Sequence, residues 1–116
     1  MDLGLQEKVI IVTGGAKGIG EGIATVLAQE KAIPVIVGRS EEDNLLTVNK
    51  IETAGGKAFQ VVAELTHPEA CEKAIATIVA EFGKIEGLVN NAGVNDGVNL
   101  EHGTYEKFMQ SLHSNL

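Results

Sequence analysis

A glycine-rich segment near the start of the chain has the residue types of a phosphate-binding loop. It reads Thr13-Gly14-Gly15-Ala16-Lys17-Gly18-Ile19-Gly20, so the glycines at 14, 18 and 20 follow a G-x-x-x-G-x-G spacing. Such glycines allow a tight turn, a close approach of the backbone to a pyrophosphate and close packing of the next helix. The N–H groups and the dipole of that helix then favour the anion. The predicted dinucleotide-binding residues are Gly14, Ala16, Lys17, Gly18, Ile19 and Gly20; a strand-to-helix turn without a ligand is the alternative.

The second candidate site lies after the next apolar run, where a ribose would be recognised. A dinucleotide fold usually places an acidic residue about 20 residues after its glycine loop, where it binds the 2′-hydroxyl of NAD. Here that region holds Gly38, Arg39 and Ser40, and no acid. Two cations and a hydroxyl suit the 2′-phosphate of NADP, so Arg39, Ser40 and Lys17 predict NADP as the preferred cofactor and NAD as the second choice. The alternative is that Arg39 is merely solvent-exposed and that Lys17 only balances the pyrophosphate charge.

Short apolar runs alternate along the chain with longer segments of helical periodicity. The runs predict strands at 8–13, 34–37, 58–63 and 85–90. Helices are predicted from Gly18 to Glu30, from the N-cap Ser40 to about Gly55, from Thr66 to Gly83, and after Thr104. Thr66 and Glu69 have the spacing of a capping box. The expected inner face of the first helix is formed by Ile19, Ile23, Val26 and Leu27.

This strict alternation predicts an α/β fold. Helices of this length connect strands by right-handed crossovers, which makes the sheet parallel and doubly wound, in the Rossmann-like order 3-2-1-4. We expect residues 1–116 to form a single dinucleotide-binding unit. No segment of the sequence is left to cover the outer edge of the fourth strand, which suggests an incomplete fold.

Composition excludes several classes of partner. The net charge of −7 opposes binding to nucleic acid and to anionic lipid. The single cysteine, Cys71, cannot form an internal disulfide, and no apolar run is long enough to span a bilayer. His67, His102 and His113 have no metal-ligand spacing. We expect a cytoplasmic protein with no metal, nucleic-acid or membrane partner.

Two motifs together resemble the short-chain dehydrogenase/reductase family. They are the loop from Thr13 to Gly20 and the tetrapeptide Asn90-Asn91-Ala92-Gly93, each at the carboxyl end of a predicted strand. The resemblance implies that Asn90 braces its strand. It further implies that Asn91, Ala92 and Gly93 line the cofactor site. Glu64-Leu65 matches the position of the family's Asp-Val-like pair beside the adenine, although Glu is longer than the usual Asp.

The same resemblance implies hydride transfer between a nicotinamide cofactor and a small alcohol or carbonyl substrate. The family's catalytic set is Asn, Ser, Tyr and Lys, and Asn115 matches its Asn. The Tyr-x-x-x-Lys pair is absent, because the only tyrosine, Tyr105, is followed four positions later by Met109. The chain therefore looks like the N-terminal half of a longer enzyme. We expect it to be inactive alone and the full-length form to be a homo-oligomer.

Residues 87–98 also resemble sugar-oxidising members of the family, particularly L-fucose dehydrogenases. Asn95 and Asp96 could bind sugar hydroxyls, but an Asx turn explains them equally well. A nucleotide-binding module without chemistry and a truncated product without function remain alternatives to the enzyme.

Overall fold

The computed structural model describes residues 4–91, in which strands and helices alternate as predicted. The elements are β1 (Val9–Thr13), α1 (Gly18–Gln29), β2 (Ile33–Gly38), α2 (Glu41–Thr53), β3 (Phe59–Val62), α3 (Pro68–Phe82) and β4 (Gly87–Asn90). The helix predicted after Thr104 lies outside the described residues. Within the described range, no helix has both the length and the apolar character needed to cross a bilayer.

The strands form one parallel sheet in the order β3-β2-β1-β4, which confirms the predicted fold class. From β1 the chain winds outward through β2 to β3, and then returns to place β4 on the other side of β1. The gap between β1 and β4 is therefore the topological switch point, where open α/β sheets bind their ligands. Thr13 pairs with Asn90 in the register of these two strands. The two sequence motifs consequently begin side by side.

The core has two layers because β1 and β2 are buried on both faces. On one face the sheet packs against α3, and the buried cluster there is Val9, Ile11, Val35, Val37, Ala63, Ala74 and Ile78. On the other face it packs against α1 and α2, and that cluster is Val12, Ala24, Ile36, Val48 and Ile51. The carboxyl ends of β1 and β2 thus lie on a buried core, whereas β3 and β4 are only partly buried.

The predicted inner face of α1 is wrong in part. The side chains of Ile19 and Val26 are 76% and 54% exposed, whereas Gly20 and Ala24 are buried. Small residues face the sheet because the start of this helix lies almost against the glycine loop. A Cβ atom on Gly20 would collide with the carbonyl oxygen of Gly14.

The predicted capping box at the start of α3 is also not formed. His67 is the N-cap residue and makes no side-chain capping bond, and Pro68 opens the helix. The Thr66 hydroxyl instead donates to Oε1 of Glu64 at 3.2 Å. Since Pro68 lacks an N–H and tolerates the first helical position, the helix starts there and leaves Thr66 one residue too early to cap it.

Candidate nucleotide-binding site

The loop after β1 adopts a conformation that glycine alone takes without strain. Gly14 and Gly18 have φ angles of +65° and +57°, in the left-handed region. Lys17 is the N-cap of α1 in an extended conformation, and no side chain of residues 4–91 caps the helix. The first N–H groups of α1 are left without side-chain partners, as an anion-binding helix requires.

Asn91 fixes the shape of this loop from the neighbouring strand. Its Nδ2 donates to the carbonyl oxygen of Gly14 at 3.3 Å. The absence of a side chain at Gly20 makes room for this bond, because a Cβ there would lie 2.6 Å from the same Nδ2. Gly14, Gly20 and Asn91 therefore form one interlocked contact. Sequence reasoning gave Asn91 a place beside the cofactor; the contact to Gly14 is a structural role that it did not foresee.

Thr13 joins the ends of β1 and β4 beneath the loop. Its hydroxyl accepts from the backbone N–H of Asn91 at 2.9 Å and lies 3.2 Å from Oδ1 of Asn90, to which it can donate. The carbonyl oxygen of Val89, at 3.3 Å, is a second acceptor for the same proton. Thr13 is nearly inaccessible to solvent, whereas its partners Asn90 and Asn91 are exposed and half-buried, so the bonds lie at the edge of the core. The two motifs are thus connected by direct hydrogen bonds as well as by strand pairing.

The turn between β2 and α2 holds the residues predicted to recognise the ribose. Ser40 caps α2, as predicted, by accepting from the N–H of Asp43 at 3.2 Å. Arg39 precedes it with an exposed side chain. Lys17 reaches the same turn, since its Nζ lies 3.2 Å from Oδ2 of Asp43. The two predicted cations are therefore brought to one region, although Asp43 already pairs with Lys17.

Two buried polar residues of α2 support both loops, and sequence reasoning missed them. Thr47 donates to the carbonyl oxygen of Ala16 at 3.1 Å and is almost fully buried. Asn44 is fully buried and donates to the carbonyl oxygen of Gly38 at 3.1 Å. The available signal was their position on the face of α2 that also carries Ile51, where polar side chains need hydrogen-bond partners.

Glu64 and Leu65, predicted to lie beside the adenine, follow β3. Leu65 packs partly buried against the core cluster on the α3 side, and Glu64 accepts from Thr66. The predicted residues Ala92, Gly93 and Asn115 lie outside the described residues, as do Asn95 and Asp96. Among residues 4–91 no group of His, Cys, Asp or Glu could hold a metal ion.

Comparison with known proteins places this site in a family. The family model for short chain dehydrogenases matches residues 8–116. The chain belongs to the short-chain dehydrogenase family.

Among curated relatives of this short-chain dehydrogenase chain is the short-chain reductase protein NovJ of Streptomyces niveus, 44% identical over 90 residues. The match covers 78% of this chain and 34% of NovJ. A 3beta-hydroxysteroid dehydrogenase of Mediterraneibacter gnavus is 39% identical, with 77% of this chain and 32% of that protein covered. The chain thus spans about a third of the length of these relatives.

Solved structures give the same family. The citronellol catabolism dehydrogenase AtuB of Pseudomonas aeruginosa superposes with a TM-score of 0.79 at 37% identity, covering 97% of this chain and 46% of that one. A metagenomic short-chain oxidoreductase in complex with NADP has a TM-score of 0.80 at 32% identity and covers 97% and 51%.

Proposed function

We propose that this chain is the cofactor-binding part of an NAD(P)-dependent oxidoreductase that transfers hydride between a nicotinamide ring and a small alcohol or carbonyl compound. The observation that carries the proposal is the interlock of the glycine loop with Asn91 at the switch point between β1 and β4. The start of α1, which has no side-chain cap within residues 4–91, directly follows this loop. Membership of the short-chain dehydrogenase family supports the same reading.

The proposed roles of the individual residues rest on the family resemblance, and the glycine-loop geometry supports the pyrophosphate role. Gly14 to Gly20 would bind the pyrophosphate, and Glu64 and Leu65 would lie beside the adenine. Ala92 and Gly93 would line the site where the bound nicotinamide donates or accepts hydride. Asn115 is assigned to the family's proton relay by resemblance.

We further propose that NADP is the preferred cofactor. Arg39 is exposed, and none of the ion pairs within residues 4–91 involves it, so its guanidinium is free to bind a 2′-phosphate. The Ser40 hydroxyl accepts from Asp43 but keeps its own proton for donation. Lys17 is partly neutralised by Asp43, so Arg39 carries most of the expected discrimination. The related oxidoreductase in complex with NADP is consistent with this choice.

Replacing Arg39 tests the cofactor assignment. Arg39→Ala is expected to weaken NADP binding roughly 10- to 100-fold, because a charge-assisted hydrogen bond is lost, and to leave NAD binding almost unchanged. Titration calorimetry with both cofactors measures the two effects. Lys73→Ala is the matched control: it removes an exposed positive charge from α3, which packs on the opposite face of the sheet. Equal losses for both cofactors in Arg39→Ala, or a wild-type preference for NAD, would show that NADP is the wrong assignment.

For the substrate we propose a sugar or a similar polyhydroxylated alcohol. The support is the resemblance of residues 87–98 to sugar-oxidising members of the family. On this proposal, Asn95 and Asp96 would offer hydrogen bonds to substrate hydroxyls. Relatives named for a hydroxysteroid and for citronellol catabolism show which competing alcohols belong in the same substrate panel.

A further inference from the structure

Asn44 occupies an unusual position between the ends of β2 and β3. Its side chain is fully buried, and its Nδ2 lies 3.1 Å from the carbonyl oxygen of Gly38 and 3.1 Å from Oε1 of Gln60. The carbonyl oxygen of Val61, at 3.4 Å, is a third acceptor. Its Oδ1 is buried and has no hydrogen-bond partner among the described residues. A buried amide oxygen without a donor is costly, so the placement of Asn44 needs an explanation.

The unpartnered oxygen lies against Gly38. A Cβ atom built on Gly38 would lie 2.7 Å from Oδ1 of Asn44, and the next nearest atoms, at 3.6 and 3.8 Å, also belong to Asn44. The φ angle of Gly38 is not in the left-handed region, so its backbone conformation does not require glycine. Within the described residues, the three atoms nearest to a Cβ at position 38 therefore all belong to Asn44, and its Oδ1 is the one that the Cβ would overlap.

Asn44 cannot easily move aside. The Nδ2 group is held by acceptors on two strands, and its own backbone N–H donates to the carbonyl oxygen of Ser40 at 3.0 Å. Asn44 thus bonds to Gly38 and Ser40, which are the two chain neighbours of Arg39. Rotating the amide would remove a donor from buried acceptors, and overpacked side chains in such sites are destabilising.

We propose that Asn44 is a positioning residue that determines cofactor specificity by keeping position 38 a glycine. Position 38 ends β2, where a dinucleotide fold places the acid that binds the 2′-hydroxyl of NAD. Because Asn44 occupies that space, position 38 cannot carry an acidic side chain. Arg39 and Ser40 are then the residues of this turn that contact the ribose. This inference rests on the proposed preference for NADP.

A thermal double-mutant cycle without cofactor tests the steric part. In the Asn44 background, Gly38→Ala is expected to lower Tm by about 3 to 10 °C, as overpacking does. In the Asn44→Ala background, the same Gly38→Ala change is expected to leave Tm unchanged or to raise it, because alanine restricts the unfolded chain at a compatible φ. The disappearance of the Tm loss in the Asn44→Ala background is the diagnostic result, and it is independent of the cost of Asn44→Ala itself. An equal fall of Tm in both backgrounds would overturn the proposal.

Cofactor titration tests the specificity part on the same protein. The double variant Gly38→Asp with Asn44→Ala is expected to bind NAD at least about 10-fold more tightly than Asn44→Ala alone and to bind NADP more weakly. Gly38→Asp alone is expected to lose stability without that gain. If Gly38→Asp alone already binds NAD this tightly at full stability, Asn44 does not control the position. A wild-type preference for NAD would overturn the proposed cofactor. That outcome is distinguishable from failure of the steric part, because the thermal cycle is measured without any cofactor.

Discussion

At the scale of single residues, the site depends on glycines, which have no side chain, as much as on the side chains around them. Gly20 and Gly22 both lie in α1, but they differ in what surrounds them. A Cβ on Gly20 would collide with the carbonyl of Gly14 and lie 2.6 Å from Nδ2 of Asn91, whereas a Cβ on Gly22 would meet nothing within 4 Å. The two glycines therefore form a matched pair for an experiment.

Gly20→Ala is expected to destabilise the protein by about 1–3 kcal/mol, because the added methyl group forces α1 away from the loop. The shift should also break the bond from Asn91 to Gly14 and reduce cofactor affinity by at least about 10-fold. Thermal unfolding and cofactor titration measure the two effects.

Gly22→Ala serves as the control for that prediction. It is expected to be neutral or to stabilise by about 0.5–1 kcal/mol, since alanine is the better helix former. If both substitutions behave alike, the close packing at Gly20 is not what shapes the loop.

At this scale the sequence indicated the glycines but not the polar residues behind them. Glycine spacing is local, so Gly14, Gly18 and Gly20 can be recognised within a single loop. The role of Asn44 depends on β2, β3 and α2 meeting in three dimensions, and no spacing along the chain records that meeting. A polar residue on the inner face of a helix was the one available signal.

At the scale of elements, α2 is the part that organises the site. Ser40 caps it, Asp43 pairs with Lys17, and Thr47 binds the carbonyl of Ala16, so one helix holds both the phosphate loop and the ribose turn. Apolar periodicity predicted where α1 and α3 lie, and the N-cap Ser40 with the glycines at 55 and 56 predicted α2. Periodicity did not predict the inner face of α1 correctly. The small residues Gly20 and Ala24 are buried there, and the larger Ile19 is exposed.

The start of β4 is tied to the start of β1 by charge. Glu86 lies 2.8 Å from Nζ of Lys84 and 3.2 Å from Nζ of Lys8, and its backbone N–H donates to the carbonyl oxygen of Val9. The hydrogen bond from the Lys84 ammonium lowers the pKa of Glu86 below its ordinary value of 4.5. Desolvation of the carboxylate acts in the opposite direction, and Lys8 lowers the pKa further. The ion pairs therefore favour the folded state wherever Glu86 is charged.

Glu86→Gln is expected to lower Tm at pH 7, where the carboxylate of Glu86 is fully ionised. Because the pKa is lowered in the folded protein, this stabilisation is complete above pH 4.5 and is lost as the pH falls through the lowered value. The Tm difference between wild type and variant should consequently narrow on acidification. Added salt should also reduce it, since the side chains are partly exposed.

The control for Glu86 is Glu72→Gln, which removes an exposed carboxylate that belongs to none of the ion pairs within residues 4–91. It is expected to change Tm little at any pH. A difference for Glu86→Gln that stays constant down to pH 3 would contradict an electrostatic origin.

At the scale of the whole molecule, the strand order followed from the sequence. Alternating elements and right-handed crossovers leave few topologies for a parallel sheet, and the glycine loop after the first strand selects the Rossmann-like one. The proton-transfer chemistry did not follow in the same way, because the Tyr-x-x-x-Lys pair that the family resemblance implies does not occur in these 116 residues.

A polypeptide of these 116 residues alone is expected to show no dehydrogenase turnover. Its only tyrosine, Tyr105, lacks a lysine four positions later, so no Tyr-x-x-x-Lys pair can move the substrate proton. The measurement is absorbance of the reduced cofactor with a panel of sugars and secondary alcohols, with cofactor titration as a parallel check of the folded site. Turnover that co-elutes with the intact polypeptide would mean that another residue performs the proton transfer.

The bond from Asn91 to Gly14 also has a consequence for assembly of the fold. It joins residues separated by 77 positions, so it is among the least local contacts at the site. Closing such a long loop is entropically costly and comes late in folding. Because this bond needs β4 in place beside β1, we expect the phosphate loop to take its final shape only when the two strands have paired. Nucleotide affinity is therefore expected to arise with the pairing of β4 and β1, and a bound cofactor should stabilise chains in which that pairing has formed.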